Sequence, residues 1–312
     1  MNVLQKAELY SSLKAICGEE SLLTGVPMKE FTSMKVGGKA DYLAEPDSFD
    51  RVRQCIEFLH SNSIPFLVMG NGSNLIFSDE GYSGVVVKIG NKLSKIGVMG
   101  NFMEAQAGAS VSALAHKAME NSLSGLEFAS GIPGSVGGAA YMNAGAYDGE
   151  MKQVIVKTLN VDKSGKYISF QGEEHRFSYR RSRIQDEDLI CLQVVFQLQS
   201  GDQKAIRDKM NELNARRRDK QPLTMPSAGS VCKRPTGQFA GKLIDNCGLR
   251  GFSIGGAQVS EKHCGFIVNT GTATAADIVK LIRHIQKVVY EKTGTVLEPE
   301  VKIIGGNQEC NF

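Results

Sequence analysis

The stretch from Ser130 to Tyr147, SGIPGSVGGAAYMNAGAY, constrains the fold of this chain more than any other part of the sequence. Its glycines follow no helical or strand period, and glycine loses more backbone entropy on folding than any other residue. A chain accepts that cost where the backbone needs positive φ, or where a ligand must approach without a Cβ in the way. The stretch is uncharged and rich in apolar side chains. We therefore expect it to pack against a bound cofactor rather than to form a solvated surface loop.

A second glycine-rich segment, GNGSN at residues 70–74, follows the apolar strand pattern of Pro65 to Met69. A strand that ends in such a turn often binds phosphate, because successive backbone N–H groups form a concavity for anions. The dinucleotide fingerprint GxGxxG and the P-loop pattern are both absent from the sequence. Two glycine loops from two lobes instead indicate a ligand with two phosphates and a long planar body.

Helix and strand patterns alternate along the chain and predict three parts. We expect a helical N-terminal segment over residues 1–30, a mixed α/β domain over 31–200 and a separate α+β domain over 201–312. The middle domain is predicted as two lobes, about 31–90 and 91–200, which each supply one glycine loop. The expected fold class is α+β.

Local patterns add detail to this division. Apolar residues at helical spacing follow Ser48, Ser110 and Thr274, so each of these residues is predicted to cap a helix. The β-rich runs 154–161 and 189–198 are predicted to pair around the turn-prone segment DKSGK. Three prolines predict that QPLTMPSAGSVCKRPTG is a loop, and the closing VLEPEVKII is predicted to be a strand.

Composition excludes several classes of protein. The formal net charge of +3 is too small to indicate nucleic acid or a membrane surface as partner, and no apolar run approaches the ~20 residues of a membrane span. The N-terminus lacks the apolar core of a signal peptide. Seven cysteines without a CxxC pair fit a reducing cytoplasm, and no HExxH motif or Cys/His cluster indicates a metal.

Six motifs in order between residues 30 and 305 identify a resemblance. They are GNGSNLIFSD, SGIPGSVGGAAYMNAGAYDGE, FSYRRSRI, SAGSVCKRP, AGKLIDNCGLRGFSIGGAQVSEKH and LEPEVKIIG. Together they resemble the UDP-N-acetylenolpyruvoylglucosamine reductase family, the flavoenzymes that complete UDP-N-acetylmuramate for bacterial peptidoglycan. The resemblance implies a two-lobed FAD-binding fold of the vanillyl-alcohol-oxidase type and a C-terminal substrate-binding domain. It also implies noncovalent FAD, which NADPH reduces before the enolpyruvyl substrate takes its place. Some members carry an extra loop with a tyrosine over the substrate, and this chain resembles the shorter class without it.

The resemblance assigns the cofactor site to both glycine loops. The residues that would contact FAD are Asn71, Gly72, Ser73, Asn74, Leu75, Gly131, Ile132, Pro133, Gly134, Ser135, Gly137 and Gly138. The chemistry of the first loop agrees, since backbone N–H groups and a serine hydroxyl can meet phosphate oxygens. The alternatives are a plain turn between strands for the first loop and a tight packing corner for the second.

Three further residues match the family's catalytic groups. Arg180, in FSYRRSR, would meet the substrate carboxylate, and Glu300, in LEPEV, would assist there. Glu298 is the alternative carboxylate, on the same face of the predicted strand. Ser230, in AGSVCK, matches the proton donor, although a serine after glycine is usually a turn hydroxyl. Lys233 is a candidate to stabilise the alkoxide that Ser230 would leave.

The substrate itself would be held by further polar residues. Lys220 aligns with a lysine that binds the substrate diphosphate, although basic residues in ARRRDK also suit a helix C-terminus. Tyr147, Tyr179 and Arg234 are additional substrate-site candidates, and His263 is a residue of the substrate lobe or a solvated histidine. Partners are therefore a UDP-sugar enolpyruvyl ether and NADPH, with the oligomeric state left open.

Two other functions are alternatives to this one. The first is an FAD-dependent oxidase of the same fold that acts on an alcohol or a sugar; the motifs SAGSVCKRP and LEPEV favour the reductase. The second is a non-catalytic binder that uses ARRRDK as a nucleic-acid patch. Low net charge and the absence of interleaved aromatic residues argue against that binder.

Overall fold

The structure is a computed structural model that describes residues 3–305 of the 312-residue chain, with side chains from residue 6 onward. Cys310 lies outside the described residues. Within residues 3–305 the α-helices are α1 Val3–Cys17, α2 Phe49–Ser61, α3 Val111–Glu120, α4 Val136–Tyr141, α5 Arg183–Asp186, α6 Gln203–Lys220, α7 Ala240–Asn246 and α8 Ala275–Thr293. None of these helices is both long enough and apolar enough to span a membrane.

The strands in the same part of the chain are β1 Leu22–Pro27, β2 Lys39–Ala44, β3 Phe66–Met69, β4 Leu75–Phe77, β5 Tyr82–Lys88, β6 Ile96–Met99, β7 Phe102–Gln106, β8 Leu123–Ser124, β9 Gly145–Ala146, β10 Gly149–Glu150, β11 Ile155–Val161, β12 Tyr167–Gln171, β13 Ile190–Gln197, β14 Gln199–Ser200, β15 Ser227–Ser230, β16 Ser253–Ile254, β17 Ala257–Val259, β18 Phe266–Asn269 and β19 Lys302–Ile304. The larger sheets have the orders β1-β2-β5-β3, β12-β11-β13-β7-β6 and β15-β18-β17-β16. The strand β4 pairs with β19 alone, in parallel.

The helices predicted from capping residues are confirmed. The hydroxyls of Ser48, Ser110 and Thr274 each accept a backbone N–H from the first turn of α2, α3 and α8. In α8 the carboxylate of Asp277 also accepts the Thr274 N–H, which completes a capping box. These helices could be predicted because the capping residue and the apolar face indicate the same first residue of the helix.

Two strand predictions need correction. The runs 154–161 and 189–198 do pair, as the antiparallel strands β11 and β13, but DKSGK joins β11 to β12, a strand that the sequence analysis missed. The proline-rich segment predicted as loop contains β15, whose Ser227 and Ser230 pair with Val268 and Phe266 of β18. Prolines outside the strand itself did not prevent this pairing.

The chain forms two compact units whose segments interleave in the sequence. The first contains residues up to 24, 42–71 and 84–216, and the second contains residues 25–41, 72–83 and those from 217 onward. The domain boundaries predicted at 31, 91 and 201 stay a prediction.

The first unit is built around the antiparallel sheet β12-β11-β13-β7-β6 and the helices α1, α2, α3 and α4. Its core is continuous, and Phe170 and Phe196 are among its largest fully buried side chains. The strands β3 and β5 pair in parallel, with Phe66 opposite Val85 and Met69 opposite Lys88. The turn GNGSN thus begins at the carboxyl end of a parallel strand, where ligands commonly bind in mixed sheets.

The second unit has its own core, in which α7, α8 and the sheet β15-β18-β17-β16 pack together. The buried face of α8 carries Ile278, Leu281, Ile282, Ile285 and Val289.

Asp79, in the short segment 72–83, supports the start of α8. Its carboxylate accepts the N–H groups of Ala275 and Ala276 at 2.8 and 2.9 Å. A carboxylate at this end of a helix is favourable because the terminal N–H groups lack partners within the helix. The segment 72–83 is therefore an integral part of the second unit.

Candidate active site

The glycine-rich stretch of the first unit has no helical or strand period in the sequence, yet part of it is regular. Its middle forms α4, whose N-cap Ser135 accepts the Gly138 N–H at 3.3 Å. Gly137 can lie in this helix because it needs no Cβ: an added one would lie 2.7 Å from the Cβ of Ala107. Here the glycine serves close packing, which was the structural alternative weighed for it.

The two glycine-rich stretches adjoin each other in the first unit. A Cβ added to Gly70 would lie 2.1 Å from the Ser135 Oγ, so only glycine fits there without a shift. The next residue, Asn71, is exposed. The stretch around Ser135 is also fixed from behind, because Val111 donates its N–H to Gly134 O at 3.0 Å. This brings into one region of the unit five of the residues predicted to contact FAD, namely Asn71, Gly134, Ser135, Gly137 and Gly138.

The rest of the first loop, Gly72 to Leu75, belongs to the second unit. Gly72 has φ of 64°, a left-handed backbone that favours glycine, and its carbonyl accepts the Ser33 N–H at 3.1 Å. Ser73 and Asn74 are half-buried, and β4 begins directly after them. The strands β3 and β4 belong to different sheets, so this loop connects two sheets, and its role toward the pyrophosphate stays a prediction.

Arg180 lies in a tight turn of the first unit and has φ of 56°. A left-handed backbone at a non-glycine residue stores about 1–3 kcal/mol of strain and persists only where the surroundings fix it. Its Nη2 donates to Gly145 O at 3.2 Å, and its guanidinium lies 5.2 Å from the centre of the Tyr179 ring. The half-buried Arg180 is thus held at the end of the glycine-rich stretch.

The two neighbouring arginines make different contacts. Arg181 forms an ion pair with Asp186 at 2.6 Å, and Arg183 forms one with Glu187 at the same distance. The guanidinium of Arg183 also lies 4.2 Å from the centre of the Phe170 ring. Arg181 and Arg183 are thus paired with nearby carboxylates, whereas Arg180 donates to Gly145 O.

Asn143 was missed by the sequence analysis and holds the Arg180 turn in place. This fully buried side chain donates from Nδ2 to Ser178 O at 2.9 Å and accepts the Lys152 N–H at 2.9 Å. Ser182 adds a second link, because its Oγ donates to Tyr141 O at 2.6 Å. The available signal was the asparagine in an apolar glycine-rich run, since asparagine tolerates the left-handed φ of 44° found here.

Among the substrate candidates of the first unit, Tyr147 also has a left-handed backbone, with φ of 50°. The guanidinium of Arg216 lies 5.0 Å from the centre of its ring. Tyr179 is 44% exposed, and its ring contacts the Arg180 guanidinium described above. Tyr179 and Arg180 are therefore together, as their places in FSYRRSR predict.

Ser230 in the second unit ends β15 at a β-bulge. Between the pairs Ser227–Val268 and Ser230–Phe266 the β15 strand contains one residue more than its partner. Gly229 occupies the bulge with φ of 77°. Bulges often redirect a side chain beside a functional site, and the paired strand makes Ser230 more rigid than the predicted loop would.

Glu300 lies beside Ser230 in the backbone network. Its N–H donates to Val231 O at 2.8 Å, and Pro299 forms an isolated bridge with Cys232. Burial raises the pKa of the Cys232 thiol to about 12, and the nearby charge of Glu300 is a smaller cause in the same direction. Ser230 and Glu300, about seventy residues apart in sequence, are thereby brought together.

The structure separates Glu300 from Glu298, and the predicted strand over both is wrong, because β19 begins only at Lys302. Glu298 is exposed and forms an ion pair with Lys233 Nζ at 3.1 Å. The Lys233 N–H also donates to Glu298 O at 2.8 Å. Lys233 is thus paired with Glu298, and its suggested role toward a Ser230 alkoxide stays a prediction.

The remaining substrate candidates lie in the second unit. The exposed Lys220 is the last residue of α6, and the exposed Arg234 has its guanidinium 5.0 Å from the centre of the Phe239 ring. The half-buried His263 accepts the Gly265 N–H on Nδ1 at 3.0 Å, and burial lowers the pKa of its ring. Within residues 3–305, no three His, Cys, Asp or Glu side chains form a group that could bind a metal.

Comparison with known proteins decides the family. Residues 221–304 match the model of the UDP-N-acetylenolpyruvoylglucosamine reductase C-terminal domain, and residues 40–171 match an FAD binding domain. UDP-N-acetylenolpyruvoylglucosamine reductase of Caldanaerobacter subterraneus subsp. tengcongensis is 50% identical over 95% of this chain and 98% of its own. The chain belongs to the UDP-N-acetylenolpyruvoylglucosamine reductase family. The relative from Geobacillus thermodenitrificans is 47% identical over 97% of this chain and 99% of its own.

Solved structures agree with this membership. The crystal structure of UDP-N-acetylenolpyruvylglucosamine reductase from Thermus caldophilus has a TM-score of 0.78 and 32% identity, over 91% of this chain and 98% of its own. p-Cresol methylhydroxylase has a TM-score of 0.50 at 15% identity, over 96% of this chain and 67% of its own, which supports the fold alone. The predicted α+β class, with an FAD-binding domain followed by the family's C-terminal domain, is confirmed.

Proposed function

We propose that this chain uses FAD and NADPH to reduce the enolpyruvyl ether of UDP-N-acetylglucosamine to UDP-N-acetylmuramate, for peptidoglycan precursor synthesis. The observation that carries the proposal is the bond from Glu300 N–H to Val231 O at 2.8 Å. It joins the main chain of Glu300 to that of Val231, the residue after Ser230, and so supports the family motifs that assign both residues to catalysis, in a chain 50% identical to a named reductase. The cytoplasmic location and the absence of nucleic-acid or membrane partners stay predictions.

The residues of both glycine loops fit the proposed cofactor. Gly70 leaves no room for a Cβ beside Ser135, and Gly72 adopts the positive φ that an anion-binding turn uses. Asn71 to Leu75 would hold the FAD pyrophosphate, and Gly131 to Ser135 together with Gly137 and Gly138 would lie against the flavin. Neither loop contains a residue assigned to a covalent tether, so FAD would be bound noncovalently. When bound, FAD would supply the hydride chemistry that links NADPH to the methylene carbon of the substrate.

Arg180 would bind the substrate carboxylate. Negative charge develops at the carbon that bears this carboxylate and spreads into it, so a fixed cation there lowers the barrier. A guanidinium suits the role because its planar donors match both carboxylate oxygens. The bond to Gly145 O at 3.2 Å and the contact with Tyr179 orient the side chain before substrate arrives.

Ser230 and Glu300 would complete the reaction at the same carbon. Ser230 would hold the proton that this carbon receives, and Glu300 would assist at the neighbouring carboxylate. A serine hydroxyl is a weak acid, but an enolate-like carbon is a strong enough base to accept its proton from a well-placed donor. The position of the Ser230 hydroxyl therefore matters more than its acidity. The bulge at Gly229 within a paired strand would fix that position.

The substrate's diphosphate and sugar would be held by the candidates outside this pair. Lys220 and Arg234 carry exposed positive charges that suit a diphosphate, and Tyr147 and Tyr179 offer hydroxyl donors and apolar ring faces. Lys220 ends α6, where a cation is also favourable to the helix dipole. The two roles do not compete, because a lysine head group can reorient on its flexible stem.

The proposal is tested by the flavin spectrum of the purified holoprotein under anaerobic conditions. NADPH should bleach the flavin, and the enolpyruvyl substrate should restore its colour with formation of UDP-N-acetylmuramate. A protein that lacks flavin, or a flavin that only an alcohol or sugar reduces, would contradict the proposal. In D₂O the product should carry solvent deuterium at the carbon that bears the carboxylate.

Variants of Ser230 test the proton donor. Ser230→Ala should retain FAD and its reduction by NADPH but lose turnover by about 100-fold or more. Ser230→Cys keeps an ionisable proton at the same place and should retain more activity. An alanine variant with nearly full turnover would exclude Ser230 and leave water or another side chain as the acid.

A further inference from the structure

Asn74 makes two hydrogen bonds to the segment that carries Glu300. Its side-chain Nδ2 donates to Glu300 O at 3.0 Å, across 226 residues of sequence. Its main-chain carbonyl accepts the Lys302 N–H at 3.0 Å. The two bonds flank Val301, a buried residue of the second core. The asparagine of GNGSN is therefore engaged with the opposite end of the chain.

The side-chain bond fixes the peptide group that follows the Glu300 side chain. The regular pairing of β19 with β4 begins at Lys302 opposite Leu75, so Glu300 lies before the first ladder pair. The Asn74 amide extends the ladder by one hydrogen bond. The N–H of Glu300 is fixed separately by Val231 O at 2.8 Å. The N–H and the carbonyl of Glu300 thus both have defined partners. The partner of the N–H is Val231, the residue directly after Ser230.

The bond requires an amide at this position. An aspartate in place of Asn74 would have nearly the same shape, but its carboxylate would present only acceptors to the Glu300 carbonyl and repel it. It would also add negative charge to the turn proposed for pyrophosphate. Alanine would remove the donor and leave the Glu300 carbonyl without this partner. The expected consequence is displacement of Glu300 rather than loss of the β4–β19 pair, whose ladder bonds remain.

We propose that Asn74 is a positioning residue that holds Glu300 in place, so that the turn assigned to FAD also sets the position of the catalytic carboxylate. The inference rests on the proposed role of Glu300. It departs from the assignment of the Asn74 side chain to the pyrophosphate, because that side chain is directed to Glu300 O. The turn assigned to the cofactor and the segment that carries the Glu300 carboxylate are then joined directly by hydrogen bonds.

The two half-reactions of the holoenzyme separate this role from a general effect on folding. Asn74→Ala, saturated with FAD, should slow reoxidation by the enolpyruvyl substrate about 10- to 100-fold more than it slows reduction by NADPH, the effect of a misplacement of the carboxylate by about 1 Å. Equal slowing of both half-reactions, or failure to bind FAD at any concentration, would overturn the proposal.

Gln286→Ala is the matched control. Gln286 Nε2 donates to Leu297 O at 2.8 Å, the same type of bond to the same segment but not to Glu300. Its removal should cost similar stability in urea while reoxidation stays within about threefold. If Gln286→Ala slows reoxidation as much as Asn74→Ala, the effect is general loosening of the segment and Asn74 has no particular role.

A double variant identifies the route of the effect. If Asn74 acts through Glu300, Asn74→Ala should add less than about threefold to the defect of Glu300→Gln. Multiplied defects would mean that Asn74 acts elsewhere and would reject the inference. Full activity of Glu300→Gln by itself would instead refute the catalytic role of Glu300, so the two failures are distinguishable.

Discussion

The choice between Glu300 and Glu298 is the most direct test of the proposed chemistry. We expect Glu300→Gln to remain folded and yellow, and to be reduced by NADPH at the wild-type rate. Reoxidation by the enolpyruvyl substrate should slow by about 100- to 1,000-fold, or about 2.7–4 kcal/mol, as when a group that stabilises developing charge is removed. Glutamine keeps the shape of glutamate, so the packing around residue 300 should change little.

Glu298→Gln is the control, and the structure sets the size of its effect. Its carboxylate lies 3.1 Å from Lys233 Nζ, with side chains 69% and 40% exposed. In water a charge pair at 3.1 Å gains about 1.3 kcal/mol by Coulomb's law, and side-chain ordering and salt reduce this to about 0–1 kcal/mol. The variant should therefore lose less than about 1 kcal/mol of stability and keep its reoxidation rate within about threefold.

The assay is anaerobic stopped flow, with flavin absorbance followed first after mixing with NADPH and then after mixing with substrate. Urea unfolding of both variants supplies the stability term separately. The reasoning is refuted if Glu298→Gln is crippled while Glu300→Gln is not, because the wrong carboxylate would then have been assigned. Slowing of the NADPH step in Glu300→Gln would equally contradict a role confined to the substrate carboxylate.

Two further predictions concern stability. Gly137→Val would set a Cβ 2.7 Å from the Ala107 Cβ and should lower the free energy of unfolding in urea by about 1–3 kcal/mol. Gly97→Val is the control, because a Cβ there meets nothing within 4 Å, and its free energy of unfolding should stay within about 0.5 kcal/mol of the wild type. Equal losses in the two variants would contradict the packing argument. The Thr274 N–H holds the pKa of Asp277 below its usual range, so its stabilisation is present above the unfolded pKa of about 3.9 and is lost as pH falls through the lower folded pKa. Asp277→Asn should therefore lose more stability at pH 7 than at pH 3, and a difference from wild type that is independent of pH would contradict this.

Helices were predictable where two local signals coincided. In α8 a capping threonine precedes a continuous apolar face, and Gly294 ends the helix with φ of 69°. Both signals lie within about twenty residues, so sequence alone contains them. The β15 strand lacked such a signal, because its four residues include a glycine with positive φ and follow a proline. Only pairing with β18 makes it a strand, and pairing is not a local property.

Family motifs indicate the candidate residues, but the contacts of these residues could not be predicted from the sequence. Family motifs named Ser230 and Glu300, whereas nothing in the periodicity of either segment indicates that Glu300 N–H bonds to Val231 O. The distinction between Glu300 and Glu298 also came from tertiary contacts, since the predicted strand treated them alike. Asn143 escaped notice because a buried asparagine is recognised only by its partners, Ser178 O among them.

The pairing of β4 with β19 explains why domain boundaries are hard to read from this sequence. A linear reading ends the cofactor domain before residue 201, yet residues 72–83 belong to the second compact unit. Two independent contacts support that membership: Leu75 pairs with Lys302, and Asp79 accepts the first N–H groups of α8. Each contact satisfies backbone groups that the segment from 217 onward does not satisfy by itself. The short segment after GNGSN is therefore required by the fold of the second unit, and a substitution in it is expected to loosen the main chain that carries Glu300.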